Sequence, residues 1–274
     1  MGDWQSHFIQ TNGIRIHCHR TGGDKPALVL LHGITDNGLC WTRAARALEN
    51  DYDILMVDAR GHGLSDKPED GYTAADYAAD FAGLIEGLGL GPVLVMGHSL
   101  GAVNAAALIA NHPHLVRGAV LEDPPWRDAN DPQNQATPEE AKAWMDGWRA
   151  SLIAKQQLSA EEIIADGRAQ SPTWHDDEFP SWAQAQLQVY PGVLGKSQFP
   201  AWTEVVPQLS CPTLLVTGDK SRGAIVTQEL AAKVCAANPN ISHAHIANTG
   251  HSIRREGFEQ YVAAVRAFLT ELHK

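Results

Sequence analysis

Apolar side chains along the chain fall into two patterns. The first is short and nearly continuous: Ala27–Leu31, Ile54–Val57, Val93–Met96, Val116–Leu121, Thr213–Thr217 and Ala244–Ile246. Runs this short and apolar on both faces suit strands of a parallel sheet covered on both sides. The second pattern has helical spacing. Thr73–Leu88 carries Tyr77, Phe81, Leu84, Ile85 and Leu88 on one face, with Thr73 and Asp76 placed to cap its start. Leu100–Asn111 is alanine-rich, and Thr227–Ala237 and Glu256–Leu272 complete the set. Ahead of these, His7–Thr11 and Ile14–His19 flank Asn12-Gly13, a pair that tolerates the positive φ of a hairpin turn. Strands alternating with helices predict an α/β three-layer sandwich around a mostly parallel sheet.

One stretch departs from this rhythm. Between Trp126 and Val206 there is no strand pattern and there are several prolines. Six of the eight tryptophans lie there: Trp126, Trp144, Trp148, Trp174, Trp182 and Trp202. Ala141–Gln156 and Ala160–Gln170 read as helices. The stretch follows the fourth buried run and precedes the fifth. An insertion at the carboxyl ends of parallel strands covers the crevice where such sheets bind ligands. The expected division is therefore a core of residues 1–125 and 207–274 and a helical cap of residues 126–206.

Val93-Leu-Val-Met-Gly97-His98-Ser99-Leu100-Gly101 is an apolar strand, then G-x-S-x-G, then a helix. That context puts a serine hydroxyl on a tight turn above the sheet. A serine is a weak nucleophile without a base. In this topology the base is a histidine after the last strand, and Asn248-Thr249-Gly250-His251 supplies His251. A developing oxyanion needs two N–H donors. Leu100 follows the nucleophile. Ile34 stands in the loop His32-Gly33-Ile34 after the first buried strand. His243 and His245, like His17 and His19, alternate along strands and read as sheet or surface residues; a metal site is not expected.

His32-Gly33, Asp58-Ala-Arg-Gly-His-Gly-Leu-Ser-Asp-Lys-Pro68, Gly97-His-Ser-Leu-Gly101 and Gly250-His251 together resemble the α/β-hydrolase superfamily, in its capped branch of small-molecule esterases, lactonases and C–C hydrolases. The resemblance runs from about residue 8 to 270. It implies the α/β-hydrolase fold, a Ser-His-acid triad and no cofactor. Asp58 to Pro68 reads as a structural loop beside the site, so Arg60 and His62 are not assigned catalytic roles. The acid is where the sequence departs from the family. The usual position after the penultimate strand holds Ser221, with Asp219 two residues earlier. The alternative position, after the strand of Val120-Leu121, holds Asp123 beside Glu122. Asp123 is preferred, then Asp219, then Glu122. The serine at the elbow speaks against epoxide hydrolase and haloalkane dehalogenase chemistry.

Composition narrows the partners. In 274 residues, 21 Lys and Arg face 32 Asp and Glu, for a net charge of −11. That disfavours nucleic acid and anionic membranes. Cys18, Cys40, Cys211 and Cys235 form no CxxC, so they read as lone thiols of a reducing compartment. The N-terminal residues show no signal-peptide pattern, and no run is long enough to span a membrane, so a cytoplasmic location is expected. Met1-Gly2-Asp3-Trp4-Gln5-Ser6 fits the loose N-myristoylation pattern, which short sequences often match by chance. The expected activity is hydrolysis of carboxylic esters or lactones of fairly apolar small molecules, without cofactor or metal. The alternatives are a meta-cleavage type C–C hydrolase, with Arg149 or Arg168 near a substrate carboxylate, a cofactor-free peroxidase, and a ligand receptor with little turnover.

Overall fold

The computed structural model describes residues 4–128 and 136–272. The motif Met1–Ser6 thus lies partly outside the described residues. An eight-stranded sheet runs β1 (Gln5–Thr11), β2 (Ile14–Arg20), β3 (Ala27–Leu31), β4 (Asp53–Asp58), β5 (Val93–His98), β6 (Val116–Glu122), β7 (Thr213–Thr217) and β8 (Ile241–His245) along the chain. Its spatial order is β1-β2-β4-β3-β5-β6-β7-β8. β1 and β2 form the antiparallel hairpin, with Asn12 at φ 44° and Gly13 at φ 78°. β2 pairs antiparallel with β4, and every later pair is parallel.

Period-two geometry explains why the central runs are apolar throughout. Val29 and Leu31 of β3, Leu55 and Val57 of β4 and Val95 of β5 face one layer. There they meet Tyr77, Phe81 and Leu84 of α2 (Ala74–Gly87) and the alanines of α3 (Leu100–Asn111). Leu28, Leu30, Ile54, Met56, Leu94 and Met96 face the other layer. They meet α1 (Thr42–Leu48) through Ala44, Ala45 and Leu48, and α10 (Phe258–Glu271) through Tyr261, Val265 and Leu269. Each buried Val, Leu, Ile, Met or Phe side chain among them contributes about 1.5–3 kcal/mol. The same alternation therefore builds two cores, one on each face.

Among the described residues, four α-helices fill the insertion between β6 and β7: α4 (Pro138–Lys155), α5 (Ala160–Gln170), α6 (Glu178–Gln188) and α7 (Trp202–Val205). α8 (Gln228–Ala237) and the one-turn α9 (Ile253–Glu256) complete the helices named. α4 begins three residues before the expected Ala141, because Thr137 and Glu140 form a capping box and Pro138 suits a first turn. α6 has no counterpart in the sequence pattern: it has no side-chain cap and carries Pro180 in its first turn, where proline is tolerated. The last strand differs from the expected Ala244–Ile246. Pairing with β7 runs from Ile241 to His245, and as an edge strand it exposes Ser242 and His243. The last helix starts after Gly257 rather than at Glu256. Among the described residues no helix is long and apolar enough to cross a membrane.

Candidate active site

Ser99 sits between β5 and α3 at φ 51° and ψ −114°, a conformation that costs a non-glycine residue energy. The turn closes only because its neighbours are glycines. A Cβ on Gly97 would collide with the Gly101 carbonyl, and one on Gly101 with the Leu31 carbonyl. Ser99 N–H donates to Glu122 O at 2.9 Å, tying the elbow to β6. Ala102, Ala105 and Ala106 are fully buried, so the helix starts close against the sheet.

His251 lies in the loop after β8. Its Nδ1 is 2.6 Å from Asp123 Oδ2. Asp123 follows β6 at φ 40° and is fully buried. Its oxygens also accept from Ile225 N–H at 2.8 Å and Val226 N–H at 2.9 Å. A carboxylate held on three sides places the His251 proton on Nδ1, which leaves Nε2 able to accept one. Ser99 Oγ and His251 are not hydrogen-bonded to each other; both line one cavity, and such contacts commonly tighten only with substrate.

The structure separates the three candidate acids. Asp219 accepts from His245 Nε2 at 2.9 Å and from Asn248 N–H at 2.7 Å, so it braces the loop that carries His251 without touching that ring. Glu122 is fully buried and accepts from Arg254 N–H at 2.8 Å; burial pushes its pKa up. Only Asp123 of the three reaches His251. Ile34 and Leu100 border the same cavity as Ser99.

Several polar residues around the site carry no sequence pattern. His98 donates from Nε2 to the His251 carbonyl at 2.9 Å, and burial, then Arg254, hold its pKa well below the usual range, so it is neutral. Asp36 pairs with Arg255 at 3.1 Å and Arg254 at 3.2 Å. Burial alone raises the Asp36 pKa, but the two guanidiniums outweigh it and hold it low. Arg255 also meets Glu178 of α6 at 3.2 Å. His62 contacts the Ile34 carbonyl through Nε2 at 2.6 Å. Arg60, by contrast, is spent on Asp80 at 2.6 Å. Arg149 reaches Asp146 and the Leu194 carbonyl, and Arg168 reaches Asp176.

The cavity is about 510 Å³. Ser99, His251 and Ile34 border it from the sheet side. Trp144, Trp148, Trp174, Trp182 and Phe199 border it from the insertion, and Arg127 and Arg255 are its arginines. Four of the six tryptophans of the insertion thus line it, whereas Trp126 is buried in the core. Among the described residues no group of three or more His, Cys, Asp or Glu is placed to hold a metal.

A second Ser-His-Asp chain lies at the β1–β2 edge of the sheet. Ser6 Oγ is 2.8 Å from His17 Nε2, and His17 Nδ1 is 2.8 Å from Asp58 Oδ2.

Fold and elbow together define a hydrolase of the α/β class. A family model described as the alpha/beta hydrolase fold matches residues 26–256, and the chain belongs to that family. The 2-(acetamidomethylene)succinate hydrolase of Mesorhizobium japonicum is 31% identical over 266 residues, covering 91% of this chain and 90% of that one. The N-formylmaleamate deformylase of Pseudomonas putida is 29% identical over 267 residues, covering 95% of each. A malate-bound thermophilic esterase from Thermogutta terrifontis superposes with a TM-score of 0.75 at 26% identity, over 98% of this chain and 100% of that one.

Proposed function

We propose that the protein is a serine hydrolase that cleaves carboxylic esters or lactones of fairly apolar small molecules. The observation that carries this reading is the 2.6 Å contact between Asp123 and His251, set in the cavity that the strained Ser99 also borders. Ser99 Oγ attacks the carbonyl carbon while His251 Nε2 takes its proton. Asp123 holds the ring and stabilises the imidazolium. The Ile34 and Leu100 N–H groups receive the oxyanion. His251 then protonates the leaving oxygen, and an acyl-enzyme remains. Water, deprotonated by His251, releases the acid.

The cavity wall supports an apolar acyl or alcohol part, because four tryptophans and Phe199 line it from the insertion. The structural likeness to an esterase supports ester cleavage. A second reading is N-acyl cleavage. It rests on the two curated relatives, whose names give an acetamido-bearing succinate and an N-formyl amide as substrates. Those substrates are carboxylates, whereas Arg255 in the cavity is paired with Asp36 and Glu178. The apolar wall gives ester and lactone cleavage precedence in this reading.

The test is a panel of initial rates on p-nitrophenyl acyl esters, aryl esters, lactones and N-acyl amides, with Ser99→Ala as the blank. Ester or lactone turnover falling on the order of 10⁴-fold in the blank is expected. Amides preferred over esters would promote the second reading. A panel flat against the blank would overturn both and leave a C–C hydrolase or a ligand receptor.

A further inference from the structure

The loop that carries Ile34 has an arrangement that its sequence does not announce. Three successive carbonyls in it are each met by a side chain. Gly33 O is met by His32 Nδ1 at 2.7 Å, Ile34 O by His62 Nε2 at 2.6 Å, and Thr35 O by Gln186 Nε2 at 2.8 Å. His32 Nε2 accepts from Ala59 N–H at 3.0 Å, which leaves Nδ1 as the donor to Gly33. Two of the three side chains belong to the core. Gln186 does not: it lies on α6 of the insertion, far in sequence, and is 5% exposed.

A trans peptide points its C=O and N–H in opposite directions. Pinning one end of a peptide therefore aims the other. Gln186 pins Thr35 O, and the N–H of that same peptide, on Asp36, donates to Gly33 O at 3.0 Å. The N–H of the Gly33–Ile34 peptide is the proposed oxyanion donor. A continuous chain of amides thus runs from the Gln186 side chain, through the Thr35–Asp36 peptide, to the Gly33–Ile34 peptide. Chains of this kind polarise one another, so each donor strengthens the next.

We propose that Gln186 is a positioning residue for the oxyanion donor, and that α6 sets the catalytic competence of the loop as well as walling the cavity. This rests on the serine-hydrolase reading above. The oxyanion forms only in the transition state, so an imprecise donor lowers kcat and leaves ground-state binding intact.

The variants are Gln186→Met, which keeps the shape and removes the donor, and Gln186→Glu, which sets an acceptor against the Thr35 carbonyl. Gln188→Ala is the control. It removes the neighbouring contact of α6, in which Asn37 Nδ2 donates to Gln188 Oε1 at 3.0 Å, and leaves the amide chain intact. For Gln186→Met, kcat is expected to fall about 10-fold with KM within about 2-fold, and Gln186→Glu to fall further. A trifluoromethyl ketone, which forms a tetrahedral adduct on serine, should lose affinity by the same factor as kcat/KM. The Gln188→Ala variant should stay within about 2-fold on every readout. Equal losses in Gln188→Ala and Gln186→Met would reduce Gln186 to a docking contact and overturn the proposal. Wild-type kcat in Gln186→Met, with Ser99→Ala inactive, would overturn it and leave the serine-hydrolase reading standing. Turnover indifferent to Ser99 would sink both.

Discussion

Two Ser-His-Asp arrangements stand out among the described residues. At the cavity, His251 is 2.6 Å from Asp123; at the sheet edge, His17 is 2.8 Å from Asp58. Each aspartate is buried, and each also accepts from two backbone N–H groups: Ile225 and Val226 in one case, Gly38 and Leu64 in the other. At the edge the serine-to-histidine hydrogen bond is even formed, at 2.8 Å. By side chains alone, the edge is the better relay. Its backbone setting is different. Ser6 lies within a paired strand, whereas Ser99 stands on a positive-φ turn at a helix start. None of the residues lining the cavity comes from β1 or β2. Base assistance supplies about 10²–10⁴-fold, and each oxyanion donor a further 10²–10³-fold or so. A relay without aimed N–H groups and a substrate cavity is missing most of the catalytic effect. Asp58 acts instead as a brace for the loop ending at Pro68, and Gly63 packs so closely on its carboxylate that a Cβ would collide with it. Burial raises the Asp58 pKa, but the bonds from His17 and the two backbone N–H groups outweigh it and hold it low.

The largest test of this contrast is at the acids. Asp123→Asn should lower kcat about 10³–10⁴-fold, because an amide presents the wrong partner to the His251 tautomer. Asp219→Asn should leave kcat within about 10-fold, since it only braces the His251 loop, and should cost on the order of 1 kcal/mol at this partly exposed position. Steady-state kinetics beside denaturant melts separate the two. The reverse ranking would move the acid to Asp219 and remove the basis of the comparison.

Asp58→Asn comes next and moves a different observable. It removes a buried carboxylate that joins β2, β4 and the following loop. Loss of roughly 2–4 kcal/mol of stability is expected, with kcat per folded molecule near wild type. A fall in kcat as large as that of Asp123→Asn, in protein that melts normally, would mean that the edge takes part in turnover.

What can be read from the sequence follows the range of the interactions. The strands and the elbow are legible because apolar period and glycine geometry are local. Ser99 and His251 are legible because chain order on this topology places them. Asp123 is separable from Asp219 only as a preference, since one turn of loop decides which carboxylate meets the ring, and the structure brings Asp123 there. α6 and Gln186 are not legible. A helix that lacks a side-chain cap and carries a proline gives little signal, and a glutamine 151 residues from the carbonyl it binds gives none. Ser6 and His17 are equally silent. Their contact depends on a hairpin register that pairs Phe8 with His17 and Ser6 with His19, so that all four share one face.

The smallest expected effect is the sharpest one for the comparison. Ser6→Ala should leave hydrolysis of every panel substrate within about 2-fold of wild type, and should cost no more than about 1 kcal/mol, because water can replace the hydroxyl at an exposed strand position. The complementary measurement uses Ser99→Ala with a fluorophosphonate and intact-mass detection. The edge hydroxyl has its base, but it lies in a paired strand away from the cavity and not on a positive-φ turn at a helix start, so Ser6 should label no faster than other exposed serines such as Ser210. Stoichiometric labelling at Ser6 would show that a histidine and an aspartate suffice to make a serine reactive on this scaffold. The strained turn and the loop that carries Ile34 would then no longer be what sets the two arrangements apart.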